Sequence, residues 1–251
     1  MKRTILIAFI LTVSIFQLSF AAVSRHSEYF AKGLCSKPGY KCVKVTRGMS
    51  WKKMFSNPVH LDIVQRINRT NMRLWRGRMI AVPENLNDLT LHDVSPFPIK
   101  IKKREDKLVV VDQDKLAWAA YNADGHLAKW GPISSGKDYC SDIGRSCKTQ
   151  TGAFYVFNKK GAKCSSNIFP VGRGGAEMPY CMFFYRGFAM HGSNEVPGYR
   201  ASHGCIRLFT RDAKWLSENF TEVRQPNGSK GTQVIIQEVK KAGRGKRGKK
   251  S

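Results

Sequence analysis

This sequence predicts a mainly β domain of antiparallel sheets over residues 107–239, preceded by a small α+β module over 40–84. Three observations predict it. Short apolar runs recur from Lys107 onward, with Gly, Asn or Asp turns between them and one helical stretch among them. The earlier segment reads strand, helix, helix, strand. Between the two, residues 85–106 carry Pro96 and Pro98 among mixed charges and read as a linker.

Residues 22–40 carry little pattern and read as a leader. Cys42-Val43-Lys44-Val45 then alternates as a strand does, and Arg47-Gly48-Met49-Ser50-Trp51 turns into a helix that Ser50 can cap. In Leu61 to Asn68, the residues Ile63, Val64 and Ile67 share one helical face. Leu74 to Pro83 turns at Gly77 into a strand that Pro83 ends. Arg66, Arg69, Arg73, Arg76 and Arg78 are either contacts for an anionic polymer or a solvated basic face.

In the second domain, strands are expected at Lys107 to Val111, Leu116 to Tyr121 and Leu127 to Ile133, with an Asn122-Ala-Asp-Gly125 turn before the third. Ala153 to Phe157, Met182 to Tyr185, Phe188 to Met190 and Thr232 to Ile236 supply the others. Thr210 stands where it can cap a helix running through Trp215, Leu216 and Phe220. The tail 240–251 alternates Gly with Lys and Arg and offers nothing large to pack. Disorder is expected there, as a solubilising tail or a polyanion tether.

With 42% apolar residues in 251, the chain can build a real core, so disorder is not the default for the whole. Lys plus Arg number 43 against 18 Asp plus Glu, and the net charge of +25 favours polyanionic partners: nucleic acid, anionic lipid or anionic envelope polymers. The N-terminus narrows that choice. A basic Met1 to Thr4, an apolar run from Ile5 to Phe20 and small residues at Ser19 and Ala21 read as a signal peptide over 1–21. An uncut anchor is the alternative, although a spanning helix needs roughly 20 apolar residues. Export to the periplasm or cell wall argues against nucleic acid, as does the absence of a recognisable nucleic-acid motif.

Export also makes the seven cysteines readable. Connectivity is not settled by sequence, but spacing favours Cys35 with Cys42, Cys140 with Cys147, and Cys164 with Cys181. Cys205 is left over, either consumed in a structural bridge or kept for chemistry. Its neighbours, Ser202-His203-Gly204-Cys205-Ile206-Arg207-Leu208, favour chemistry. A thiol attacks as the thiolate and needs a base or a positive neighbour. His203 lies on the same turn, whereas His191 ends the strand Phe188 to Met190 and can be presented from a neighbouring strand. Cross-strand placement controls the ring better, so His191 is the favoured base. The Gly192 carbonyl, or one close by, could hold its other nitrogen. Gly204 permits unusual backbone angles, and the N–H groups of His203, Gly204 and Cys205 are candidates for an oxyanion hole. Arg207 can meet a substrate carboxylate. Neither Cys-x-x-Cys nor His-x-x-x-His spacing occurs, so no metal or cofactor is expected.

Residues 108–239 resemble the catalytic domain of the YkuD-type L,D-transpeptidases. The resemblance rests on Ser202 to Leu208 with Asp212 beyond, on His191-Gly192, on Ser134-Ser135-Gly136-Lys137 ahead of Thr149-Gln150-Thr151-Gly152, and on Gly231 to Ile236. It implies a β-sandwich domain that cross-links peptidoglycan stem peptides, with Cys205 as acylated nucleophile and His191 as general base. Ser202, His203, Gly204 and Arg207 would shape the site, together with Gly192. Gln150 departs from the usual Pro, and the pairs Cys140 with Cys147 and Cys164 with Cys181 are additions that imply remodelled loops over the cleft. Residues 40–84 resemble the LysM glycan-binding module through Val45, Gly48, Asn68, Gly77, Ile80, Val82 and Pro83, with Met49 where an acidic residue is common. That resemblance makes glycan strands a second partner. The same acyl-enzyme could instead end in water, cleave existing cross-links or attach an envelope protein. A non-catalytic peptidoglycan-binding protein is the rival from another class. Oligomeric state is not legible.

Overall fold

The computed structural model describes residues 24–168, 175–225, 228 and 230–240; the expected signal segment and the tail beyond Lys240 lie outside them. The expected leader largely forms a helix, α1 (Ser24–Cys35), because Phe30, Ala31 and Leu34 recur at helical spacing. It packs on β1 (Tyr40–Lys44) and β2 (Met79–Pro83), and the Cys35–Cys42 disulfide ties its end to β1. β1 and β2 pair antiparallel, with Val43 opposite Ile80. Ser50 caps α2 (Trp51–Met54) by accepting the Lys53 N–H at 3.4 Å. α3 (Pro58–Ile67) starts earlier than expected. Asn57 accepts the Val59 N–H at 2.8 Å, and Pro58 fits a first position whose N–H would be unpaired anyway. Asn68 then bonds the Val64 carbonyl and both the N–H and the carbonyl of Ala81, locking the end of α3 onto β2.

Five arginines of this module divide between the interior and the surface. Arg66, Arg69 and Arg78 are only 1%, 5% and 3% exposed, while Arg73 and Arg76 face solvent. The buried three reach into the second domain. Arg66 grips Asp212 through Nη1 at 2.9 Å and Nη2 at 2.7 Å, and holds Asp62 through Nε at 2.9 Å. Burial alone would lower its pKa, but the charges of Asp212 and Asp62 raise it. Arg69 lies over the rings of Phe30 and Trp130 and donates to the Lys115 carbonyl.

The C-terminal half is one nine-stranded sheet, in the order β6 (Gly152–Tyr155), β13 (Gln233–Ile236), β3 (Leu108–Asp112), β4 (Ala117–Tyr121), β5 (Leu127–Ser134), β12 (Ile206–Phe209), β11 (Phe188–Ser193), β10 (Met182–Tyr185) and β7 (Asn158–Lys159). The short strands β8 (Ser165–Ser166) and β9 (Ala176–Glu177) pair separately. Mainly β holds, but two pairs are parallel where antiparallel sheets were expected: β13 with β3, and β11 with β12. The second arises because residues 194–205 carry the chain back to start β12 in the same direction as β11.

β5 pairs with β4 through residues up to Pro132 and with β12 through Ile133 and Ser134, so the sheet curls there. Val109, Val111, Trp118 and Ala120 from one half share a core with Met182, Met190, Ile206 and Leu208 from the other. Each Val, Ile, Leu or Met among them contributes about 1.5–3 kcal/mol when fully buried. α4 (Thr210–Trp215) and a π turn at Leu216–Phe220 cover this core, with Trp215 stacked on Trp118 at 6.5 Å. Thr210 does not cap α4; it is the first helical residue, and Phe209 at the cap position offers no side-chain bond. The segment read as a linker packs on the sheet: Phe97 is buried in the cluster around Trp130, and the Ile101 N–H donates to the Gly125 carbonyl at 2.9 Å. No helix among the described residues is long and apolar enough to cross a membrane.

Candidate active site

The parallel pairing of β11 and β12 puts His191 beside Arg207 and Met190 beside Ile206, with Cys205 immediately ahead of β12. His191, Cys205 and Arg207 all line one cleft of about 670 Å³. His191 is buried, and its Nδ1 lies 2.9 Å from the Gly192 carbonyl. A carbonyl only accepts, so Nδ1 carries the hydrogen and Nε2 is left with its lone pair. Burial pushes the His191 pKa down to about 4, helped by the Arg207 charge and opposed by the Gly192 carbonyl. Gly192 is itself held, donating its N–H to the Pro179 carbonyl at 2.8 Å; a Cβ there would lie 3.0 Å from the Thr210 Cα.

Cys205 carries the free thiol, since Cys35 joins Cys42, Cys140 joins Cys147 and Cys164 joins Cys181, with Cα separations of 5.6, 5.8 and 6.2 Å. Its sulfur packs on the cluster of Cys164, Met178, Cys181 and Ala189. Burial raises the thiol pKa, and a hydrogen bond from the Ala189 backbone and the Arg207 charge oppose that rise. Thiol and imidazole are therefore both neutral at rest.

The turn ahead of Cys205 is braced from several sides. Ser202 Oγ accepts the Gly204 N–H at 3.1 Å and donates to the Cys205 carbonyl at 2.5 Å. The Gly204 N–H is thereby spent inside the turn and leaves the set of expected oxyanion donors. Gly204 shapes the site differently: its φ is +126°, and a Cβ would come within 2.8 Å of the Phe188 ring. Thr149, assigned no role from sequence, donates to the Gly204 carbonyl at 2.7 Å and accepts the Gly136 N–H at 2.8 Å. The Ser135 carbonyl takes the N–H groups of Ala201 and Ser202, both at 3.0 Å. The Ser134 to Lys137 and Thr149 motifs thus act as scaffold for the thiol turn.

His203 faces away from the role of base, with its Nε2 2.6 Å from Asp142, whose carboxyl that bond holds below the ordinary range. No spacing signal marks Asp142, which sits inside the loop closed by Cys140–Cys147. The Cys140 and Cys147 sulfurs and a His203 ring nitrogen lie within 4.8 Å of one another, but sulfurs joined in a disulfide have no thiolate to offer a metal. Arg207 lines the cleft while reaching Glu195, 3.3 Å from its carbonyl and 3.6 Å from its carboxylate.

Among solved structures, the chain is similar to an L,D-transpeptidase from Xylanimonas cellulosilytica at 25% identity and a TM-score of 0.49, covering 70% of this chain and 78% of that one. An L,D-transpeptidase from Stackebrandtia nassauensis aligns at 18% identity and a TM-score of 0.43, over 84% of this chain and 75% of that one. For an Enterococcus faecium L,D-transpeptidase the figures are 27% and 0.41, over 53% of this chain and 50% of that one. No curated protein matches. The model of the YkuD L,D-transpeptidase catalytic domain matches residues 106–236, a span that takes in both sides of the cleft around His191 and Cys205. Because that match covers more than half of the chain, the protein belongs to the YkuD family of cysteine-dependent L,D-transpeptidases, the enzymes that cross-link peptidoglycan.

Proposed function

We propose that Cys205 is the acylated nucleophile and His191 the general base of a ping-pong transfer between stem peptides. The observation that carries this reading is the parallel β11–β12 pair, which brings an imidazole with its Nδ1 tied to Gly192 into the same cleft as the free thiol. As the sulfur attacks the carbonyl joining the third residue, typically diaminopimelate, to the terminal D-Ala, His191 Nε2 takes the thiol proton. The S–C bond forms, the C–N bond breaks, and the proton passes to the departing D-Ala amine. The Cys205 N–H is the turn's candidate donor to the charged carbonyl oxygen, and Arg207 receives a substrate carboxylate. An amine of a second stem then displaces the sulfur from the thioester and restores the thiol.

The N-terminal βααβ module is read as a LysM-like tether on glycan strands, supported by its element order and the Asn68 lock. An apolar N-terminal run and three disulfides support export to the periplasm or cell wall. The net positive charge assists retention by anionic envelope polymers. Incubating the full chain with sacculi tests both parts together. Dimeric muropeptides and free D-Ala, with the protein in the pellet, are expected. Tripeptides without dimers would reassign the enzyme to hydrolysis, and protein left in the supernatant would remove the tether.

The pH profile should follow the lowered imidazole. The acid limb of kcat/KM for acylation is expected near pH 4 rather than near the ordinary 6.5. An inflection near 6.5 would take the role of base away from His191. Stability moves the same way: the unfolded chain binds the extra proton first, so stability falls as pH drops from 6.5 through about 4.

A further inference from the structure

We infer that Asn71 is a positioning residue for the transfer reaction, through which the N-terminal module holds the loop between His191 and Cys205 in its working shape. The two domains meet at this loop. Asn71 Nδ2 donates to the Ser193 carbonyl at 2.8 Å, and Asn71 Oδ1 accepts the Val196 N–H at 3.0 Å. The Asn71 N–H donates to the Val196 carbonyl at 3.2 Å. All three bonds cross from the module to the loop, so the amide of Asn71 serves the loop and not its own fold. Around it, Arg78 is stacked on Trp75 and reaches the Pro197 carbonyl at 3.5 Å, and Val196 is fully buried.

The loop feeds the reaction at both ends. Ser193 follows Gly192, whose carbonyl fixes the His191 tautomer, so a shift at Ser193 is carried to the ring. Glu195 engages Arg207 through its carbonyl and its carboxylate, so a shift there moves the guanidinium in the cleft. A displacement of about 1 Å at reacting groups costs on the order of 100-fold in rate. Glycan tethering makes a different claim, since a tether matters only when the substrate carries glycan.

The inference rests on His191 and Cys205 being the reacting pair, and the test separates the two. Full-length wild type, Asn71→Ala and Asn71→Asp are compared on a soluble stem tetrapeptide without sugars. Acylation of Cys205 by a carbapenem is followed in parallel by intact mass. Both variants should lose roughly 10- to 100-fold in acylation, in kcat more than in KM. Their acid limb should rise from about 4 toward 6.5 as the imidazole is hydrated. Wild-type acylation and an unchanged acid limb in a folded variant would overturn the inference, whatever happens to sacculus binding. Should Asn71→Ala fail to fold, Asn71→Asp decides, because it keeps the size and the acceptor for Val196 while removing the donor to Ser193. A wild type that forms no carbapenem adduct would count against the Cys205 reading instead.

Discussion

Replacing Cys205 with alanine is expected to lower D-Ala release and dimer formation from purified tetrapeptide muropeptides by at least about 1,000-fold. The reason is specific to the site. The proposed reaction runs through an S–C bond, and no other thiol is available because the six remaining cysteines are paired. His203 cannot substitute as a nucleophile from its place on Asp142. The fold should survive, since the turn's braces run through Ser202, Gly204 and Thr149 and not through the sulfur. Mass spectrometry of the muropeptides, with a melting curve as control, reads both. Undiminished cross-linking in the alanine variant would remove Cys205 from the mechanism.

The second large effect concerns stability. Arg66→Met leaves the Asp212 carboxylate buried with Lys129 at 3.4 Å as its remaining ion-pair partner, and leaves the Trp130 carbonyl without the donor it now has. Breaking a buried pair from one side costs about 3–5 kcal/mol, which for a chain of this size lowers the melting midpoint by roughly 10 °C. Arg66→Met combined with Asp212→Leu should recover much of that loss, because apolar groups of similar volume carry no desolvation cost. Thermal denaturation of the three variants and wild type checks it. A single variant that melts with wild type would mean that the two domains do not rely on this pair.

How much was legible from the chain depended on whether a feature is local. Ser50 as a cap, the strand from Met79 to Pro83 and the hairpin turn before Leu127 each depend on neighbours within a few residues. The start of α3 lies at Asn57-Pro58, ahead of the apolar periodicity, because the cap and not the buried face sets where the helix begins. A carbonyl at or near Gly192 is a local partner for His191, and in the fold it is that of Gly192 itself. The role of Gly204 is local only in part. Its conformational freedom follows from its lack of a Cβ, but the fate of its N–H depends on the rotamer of Ser202 in the folded turn.

The chain alone carries most of the longer strands, the odd cysteine and the motif around it, since alternation and cysteine count act over short distances or over the whole composition. The short strands carry no such signal, and helix α1 only a faint one. Only the tertiary structure decided which way neighbouring strands run and where the arginines go. The parallel β11–β12 pair needs the path of residues 194–205, and Arg66 meets Asp212 across 146 positions of chain. A buried arginine and a solvated one are spelled alike. What separates them is whether the fold brings a carboxylate to meet the charge when water leaves, and that is settled by packing between domains rather than by any local pattern.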